Sequence, residues 1–485
     1  MVEKSGVTVA FRLARQRCAG ASGADDQLES LCELLWALAR IGDRDATVRV
    51  ADRLVRATVD APSESGNWNP PAIAQKLAGV GLFDQAEQLI AALPHGWSWG
   101  EAQGTLAQLL VGAGDTPRAE RIVDAITDVG PRSNALIELV DPLTEAGDRV
   151  AARRATQRAQ ESIAAETYSE DQARKLNHLT QVLLADYPAE ARQVARRAEE
   201  FAAGVSDPSG RDRARSSAVH ALALTGQFDR AERLIAGITD QSVRESSVLK
   251  LACALGDAGD FDRGLRLAAT ITDVGMRGTT QEQLVRSLAR AGEFGRAKAT
   301  AAVIESPSAR ADALGELAGA LSAAGDRAGA GPVVDEAEEA ALAIGYPASR
   351  GMARHWLVEE LIDAGDFALA ERTARRAADP AHELGRVGRA MAEAGDRAGA
   401  RRVLDLAEPH AMAITEPDAR AWALSSLADD LAVAGAVEHA VRVLVEATGT
   451  GPWYRALGTA AVVAPDAVRS LAEDVLGASR PVRRG

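Results

Sequence analysis

The sequence predicts an all-α chain, an α-solenoid of about 12 to 13 antiparallel helix pairs, and three observations lead there. Glycines at 42, 81, 114, 147, 226, 259, 292, 325, 365, 395 and 435 return at intervals that are 33 residues long in five of ten cases. Four residues before each stands a leucine, with Met391 the one substitute. Eight residues before each stands an aliphatic residue, with Ala218 the exception. A period of this length, one supersecondary unit per copy, marks stacked helix pairs.

Within a unit, the first helix precedes the glycine. Residues four apart share one helical face, so Leu284 and Leu288 and their equivalents form a core stripe. The glycine ends that helix at a site needing a left-handed backbone, where a Cβ costs about 1 to 2 kcal/mol. Asp follows it in seven units (Asp43, Asp115, Asp148, Asp260, Asp326, Asp366 and Asp396), suited to cap the free amides of a second helix. Phe83, Phe228, Phe261, Phe294 and Phe367 lie two residues past a turn glycine. Five residues past it the chain places alanine in nine units, Gly264 in one and Thr47 in one, which lets the two helices approach closely. No GKS or GKT follows any of these turns, so the glycines are helix ends and not phosphate cradles.

The long interval between Gly147 and Gly226 hides another unit, with Asp186 in the glycine's place, and residues 452–476 make a degenerate last pair. Extra residues fall between a second helix and the next first helix, at 60–71, 166–172, 203–212, 343–351 and 413–420, where longer second helices are expected. The array is expected over 28–476. It is preceded by a segment 1–27, an extra helix or partly disordered, and followed by a disordered basic tail, 477–485.

Composition narrows the functional classes. A net charge of −14 opposes general nucleic-acid binding, which needs a basic field. Apolar runs are broken by charge well before the roughly 18 residues of a membrane span, and the N-terminus is too weak for a secretory signal, so a cytoplasmic protein away from membranes is expected. Cys18, Cys32 and Cys253 are too scattered for a disulfide frame or metal knuckle. The preference for Arg over Lys, with abundant Ala and Gly, reads as the coding bias of a GC-rich genome.

The order leucine, small residue, leucine, glycine, aspartate, aromatic, seen at Leu251, Ala252, Leu255, Gly259, Asp260 and Phe261, resembles the tetratricopeptide repeat family. Departures are Arg44, Arg149, Arg327 and Arg397 at the aromatic position, short units and an irregular closing proline. The resemblance implies a right-handed superhelix whose first helices line a concave groove, binding protein or peptide and seldom catalytic. The recurring Lys and Asn of that family's clamp for carboxyl-terminal peptides are not found. Pentatricopeptide proteins share the Gly and Ala spacing, but their RNA code requires a recurring polar pair and a basic surface, which are also not found.

Candidate binding residues are those that vary while the framework repeats. The position six before the glycine faces away from the core stripe and carries Trp36, Gln75, Gln108, Asp141, His220, Arg286, Glu359, Arg389 and Asp429, among others. Trp68 joins Trp36, Trp97 and Trp99 in an N-terminal group that reads equally as a docking surface or an end cap. Glu282, Arg286 and Arg290 can grip a carboxylate, although solvated i,i+4 pairing is the plainer account. His355, Glu359, His382, Arg389, Trp422 and Asp429 form a polar C-terminal group. His355 and Glu359 have helical spacing for acid–base or metal chemistry, yet the second histidine of a zincin is missing, so no catalytic residue, metal or cofactor is assigned. The sequence therefore points to a non-catalytic scaffold for a protein or peptide. A small-ligand-sensing module in the same groove is the alternative, and an enzyme near His355 and Glu359 the third reading.

Overall fold

The structure, a computed structural model, describes residues 24–60, 70–92, 97–167, 169–450 and 453–477. Among these residues all regular structure is helical and no strand occurs. Most of the segment 1–27, the tail beyond Gly477 and Trp68 lie outside them. The chain divides into two compact units: Gly96–Asp366, and the segment Met1–His95 together with Phe367–Gly485.

In the Gly96–Asp366 unit, first helices such as Gln241–Asp257, Val274–Arg290 and Pro307–Ala323 alternate with second helices such as Phe261–Ala268, Phe294–Ala302 and Arg327–Leu342. Each of these first helices packs on its own second helix and on the next first helix. The other unit is built the same way, from pairs such as Ala24–Ile41 with Arg44–Asp60 and Pro380–Glu393 with Arg397–Ala413. This is the construction of an all-α solenoid. In that unit the last two helices, Leu457–Val463 and Pro465–Gly477, lie against the first, Ala24–Ile41. Arg40 donates to the Gly458 carbonyl (3.3 Å), and Tyr454 Oη to Glu29 (3.2 Å).

The repeat grammar has a local physical cause at each position. The eleven predicted turn glycines are the residues found at positive φ, from 71° to 94°, and no described non-glycine residue is. At Gly292 the glycine amide bonds to Ala289 O (3.0 Å) and the Glu293 amide to Leu288 O (2.9 Å), the paired bonds of a Schellman ending. Asp186, without that geometry, turns the chain through residues 184–187 instead. Asp43, Asp115, Asp148, Asp260, Asp326 and Asp396 each accept from the amide three residues on, as Asp326 does from Gly329 (2.8 Å). Asp366 is buried and also meets Ser322 Oγ (3.3 Å) and Arg327 (3.5 Å). The leucine stripe is buried throughout, with Leu34, Leu38, Leu251, Leu255, Leu284 and Leu288 wholly sealed. The small position is sealed too: at Gly264 a Cβ would stand 2.9 Å from Leu284 Cδ2 and 3.1 Å from Ala252 O.

Second helices beside the insertions run longer, 16 residues in Arg149–Ala164 and 17 in Arg397–Ala413, against 8 in Phe261–Ala268. One first helix departs from the expected continuous element. It is split into Val129–Glu138 and Val140–Glu145, because Pro142 has no amide to offer the carbonyl at 138 and its ring crowds that group.

Two framework devices were not apparent in the sequence. Asp212 and Glu245, buried on first helices, each hold the Thr-Asp pair that opens the next unit. Asp212 accepts from Thr239 Oγ1 (2.6 Å) and from the amides of Thr239 (2.9 Å) and Asp240 (2.8 Å). Glu245 accepts from Thr272 Oγ1 (2.6 Å) and from the amides of Thr272 (3.1 Å) and Asp273 (3.3 Å). In the second device an arginine reaches back to the carbonyl of the aliphatic residue six before it: Arg211 to Val205 (2.8 Å), Arg277 to Ile271 (2.9 Å), Arg350 to Ile344 (3.0 Å). Other arginines form ion pairs between successive second helices, among them Arg230 with Glu199 and Arg263 with Asp229 and Glu232. The guanidinium's several donors suit such bridging, so the arginine content has an architectural use beyond coding bias.

Candidate functional site

Among the described residues, two cavities on the first-helix face hold candidate residues. In the unit containing Phe367–Gly485, a cavity of about 230 Å³ lies between Pro380–Glu393 and Pro417–Val433. His382, Arg386 and Arg389 line one wall, and Trp422, Asp429 and Asp430 the other. Four of these, His382, Arg389, Trp422 and Asp429, were singled out by sequence position. The His382 and Trp422 rings stack at 5.3 Å between centroids, tilted by 34°. Arg389 bonds Asp430 (3.2 Å) and Glu393 (3.2 Å). Burial pushes the Asp430 carboxyl up to about 7, against the pull of Arg389.

In the Gly96–Asp366 unit, a cavity of about 200 Å³ is walled by three successive first helices. Val274–Arg290 contributes Glu282 and Arg286, Pro307–Ala323 contributes Asp312 and Glu316, and Pro347–Asp363 contributes Trp356 and Glu360. The i,i+4 pair expected for Glu282 and Arg286 is present but recessed, not solvated. Arg286 is paired across the repeat boundary with Glu316, donating from Nε at 2.5 Å, and meets Glu282 only at 4.0 Å. The acids are recessed, with side chains 14% exposed at Glu282 and 13% at Glu316. Burial, then repulsion from Asp312, lifts Glu282 to about 7; burial, then repulsion from Glu316, lifts Glu360 to about 7. Arg290 is exposed at the end of its helix.

The remaining candidates line neither of these cavities. Trp36 is 40% exposed, its ring over Gly79. Gln75 and Asp141 are exposed. Gln108 donates to Glu138 (3.3 Å), which also pairs with His178 (3.2 Å). His220 is half-buried, and burial with Lys250 nearby depresses it to about 4. His355 meets the Trp356 ring edge-on at 5.7 Å, and Glu359 is half-buried. The Trp97 side chain lies outside the described residues.

Asp312, Glu316, Trp356, Glu360, Arg386 and Asp430 were missed. They stand five, nine or thirteen residues before their turn glycines; the ninth and thirteenth lie within about 60° of the sixth, and the fifth stands at the flank of that face, about 100° away. Reading that whole face would have found them. A nucleophile-like contact, Ser133 Oγ to Lys175 Nζ (2.7 Å), is a closed structural cluster: Ser133 is sealed, and Lys175 also bonds Gly130 O (2.8 Å) and Glu166 (2.6 Å).

No protein-family model and no curated protein matches the chain. Among solved structures it is similar to Ton1535 from Thermococcus onnurineus NA1, at 16% identity and a TM-score of 0.33, over 66% of this chain and 97% of that one. It is also similar to the Cut9–Hcn1 hetero-tetramer of the APC/C, at 14% identity and 0.26, over 97% and 90%. A circular tandem repeat protein with novel repeat topology aligns at 17% and 0.17, over 98% and 100%. At such TM-scores these are distant likenesses, and the class rests on the chain's own helix pairs. The fold and the side-chain-lined first-helix face define an all-α helical-repeat protein. No described helix is long and apolar enough to cross a membrane.

Proposed function

We propose that the chain is a non-catalytic, tetratricopeptide-like scaffold, cytoplasmic in setting, that binds a protein or peptide segment along the exposed face of its first helices. One observation carries this reading: four residues chosen for varying within a fixed framework, His382, Arg389, Trp422 and Asp429, line a single cavity on that face. Trp422, 44% exposed, offers the large aromatic surface that anchors segments, and Arg389 and Asp429 offer charge of both signs. The second cavity, richer in carboxylates than in cations, suits a segment with a basic side chain.

The test is capture from native lysate by wild type and variants, followed by titration of the retained partner. Trp422→Ala and Asp429→Ala should weaken binding by tenfold or more, while Arg266→Ala, exposed on a second helix, should leave it unchanged. Loss of capture in Arg266→Ala alone would place the partner on the second-helix face and end this reading. Native mass spectrometry distinguishes the alternative, in which the retained species is a small molecule.

A further inference from the structure

We propose that the carboxylate cavity of the Gly96–Asp366 unit, walled by three successive first helices, is a proton-operated gate: protonated, it is closed to cations, and deprotonated, it admits a cationic side chain of the bound segment. The proposal rests on the segment-binding reading above and assigns that site its regulation.

The geometry sets up a charge conflict. Glu282, Asp312, Glu316 and Glu360 converge on one guanidinium, that of Arg286, while Asp363 and Arg290 add one charge of each sign nearby. Arg286 is committed to Glu316 and Gln283. Asp312 Oδ1 is sealed from water and meets no hydrogen-bond donor. The helices are closely seated around the acids. At Gly319, a Cβ would lie 3.0 Å from Glu360 O and 3.1 Å from its Oε2, and at Gly315 it would touch Leu357 at 3.6 Å. These glycines hold the Glu360 carboxyl against the helix that carries Asp312 and Glu316. Recessed carboxyls sharing so little positive charge retain protons that exposed ones release. Burial and mutual repulsion accordingly raise Glu282 and Glu360 to about 7, and raise Asp312.

Trp356, 53% exposed, stands at the same cavity and offers a ring face to a cation. A guanidinium or ammonium entering beside it supplies the missing charge, and each carboxyl that ionises to receive it releases its proton to solvent. Affinity therefore rises with pH. Between pH 6 and pH 8, each carboxyl obliged to ionise from a pKa near 7 contributes about a tenfold gain.

N-acetylarginine amide, titrated calorimetrically at pH 6 and pH 8 and constant ionic strength, is the probe, with isosteric, uncharged N-acetylcitrulline amide as control. The arginine compound should bind about tenfold or more tightly at pH 8, and the citrulline compound should not bind. Glu282→Gln with Glu360→Gln should abolish the pH difference; Glu360→Gln alone should reduce it if the double variant folds poorly. Carbon-13 NMR of glutamate carboxyls in the free wild-type protein reads the gate directly, and two midpoints near 7 are expected. All midpoints near 4.5, or equal arginine affinity at the two pH values, overturn the proposal. Those readouts need no partner. Unchanged capture by Trp422→Ala and Asp429→Ala would overturn the segment reading without moving the carboxyl midpoints.

Discussion

Gly292 isolates what one residue contributes here. Its φ is +77°, and an ideal Cβ there has nothing within 4 Å, so the cost of a side chain is conformational and not steric. Gly292→Val should therefore lose about 1 to 2 kcal/mol or more, since a β-branched residue is poorly suited to the left-handed region. Glu293→Ala, at an exposed neighbour, should stay within about 0.5 kcal/mol. Denaturant midpoints compare the two, and equal values would contradict the left-handed turn. Arg389 shows the opposite case. Its place opposite the leucine stripe predicts a harmless truncation, but the ion pair with nine-tenths-buried Asp430 means that Arg389→Ala also costs stability.

At the scale of elements, helices are joined to the next repeat by side chains reaching backbone. Asp212 is held below the ordinary aspartate range: burial raises it, and the bonds from Thr239 and the Asp240 amide prevail. A depressed carboxyl adds stability that is present above its unfolded pKa, near 4, and lost as pH falls through the folded value. Asp212→Ala leaves two inter-repeat amides without their acceptor and should cost about 1 to 3 kcal/mol. Hydrogen exchange of Thr239 and Asp240 should quicken before that of the leucine stripe; unchanged protection there would remove Asp212 from this role. The gate carboxyls have the opposite sign. Being raised, they stabilise the fold fully below about pH 4.5 and lose that contribution as pH rises through about 7.

At the scale of the whole molecule, the sequence period treats the first and last repeats as strangers, yet in one unit they are neighbours. Arg53 donates to the Val475 carbonyl, and Arg49 pairs with Glu473 at 3.4 Å. The apolar faces of Ala24–Ile41 and Leu457–Val463 are buried together. Removing residues 453–477 should therefore strip hydrogen-exchange protection from residues 24–60, at the other end of the sequence. Protection confined to ordinary nearest-neighbour loss, sparing 24–60, would show that this contact adds no stability. Elsewhere repeats touch mainly their neighbours, so loss should spread repeat by repeat and not all at once.

The sequence by itself determined the framework: the eleven left-handed glycines, the leucine stripe, the aspartate caps and the small residue at the helix crossing. The glycine turns and the caps are settled by bonds within about five residues, and the stripe and the small residue by packing that recurs from unit to unit, so the same chemistry repeats whenever the letters do. It also located part of the candidate site, Glu282, Arg286, His382, Arg389, Trp422 and Asp429, because facing away from a core stripe is a property of one helix. Only the tertiary structure decided which of those side chains meet, and added Asp312, Glu316, Trp356, Glu360, Arg386 and Asp430 to them. Which residues share a cavity depends on how closely neighbouring first helices are seated, and that is set by packing at positions such as Gly315 and Gly319. A period in one helix carries no record of the rotation and distance of the helix beside it.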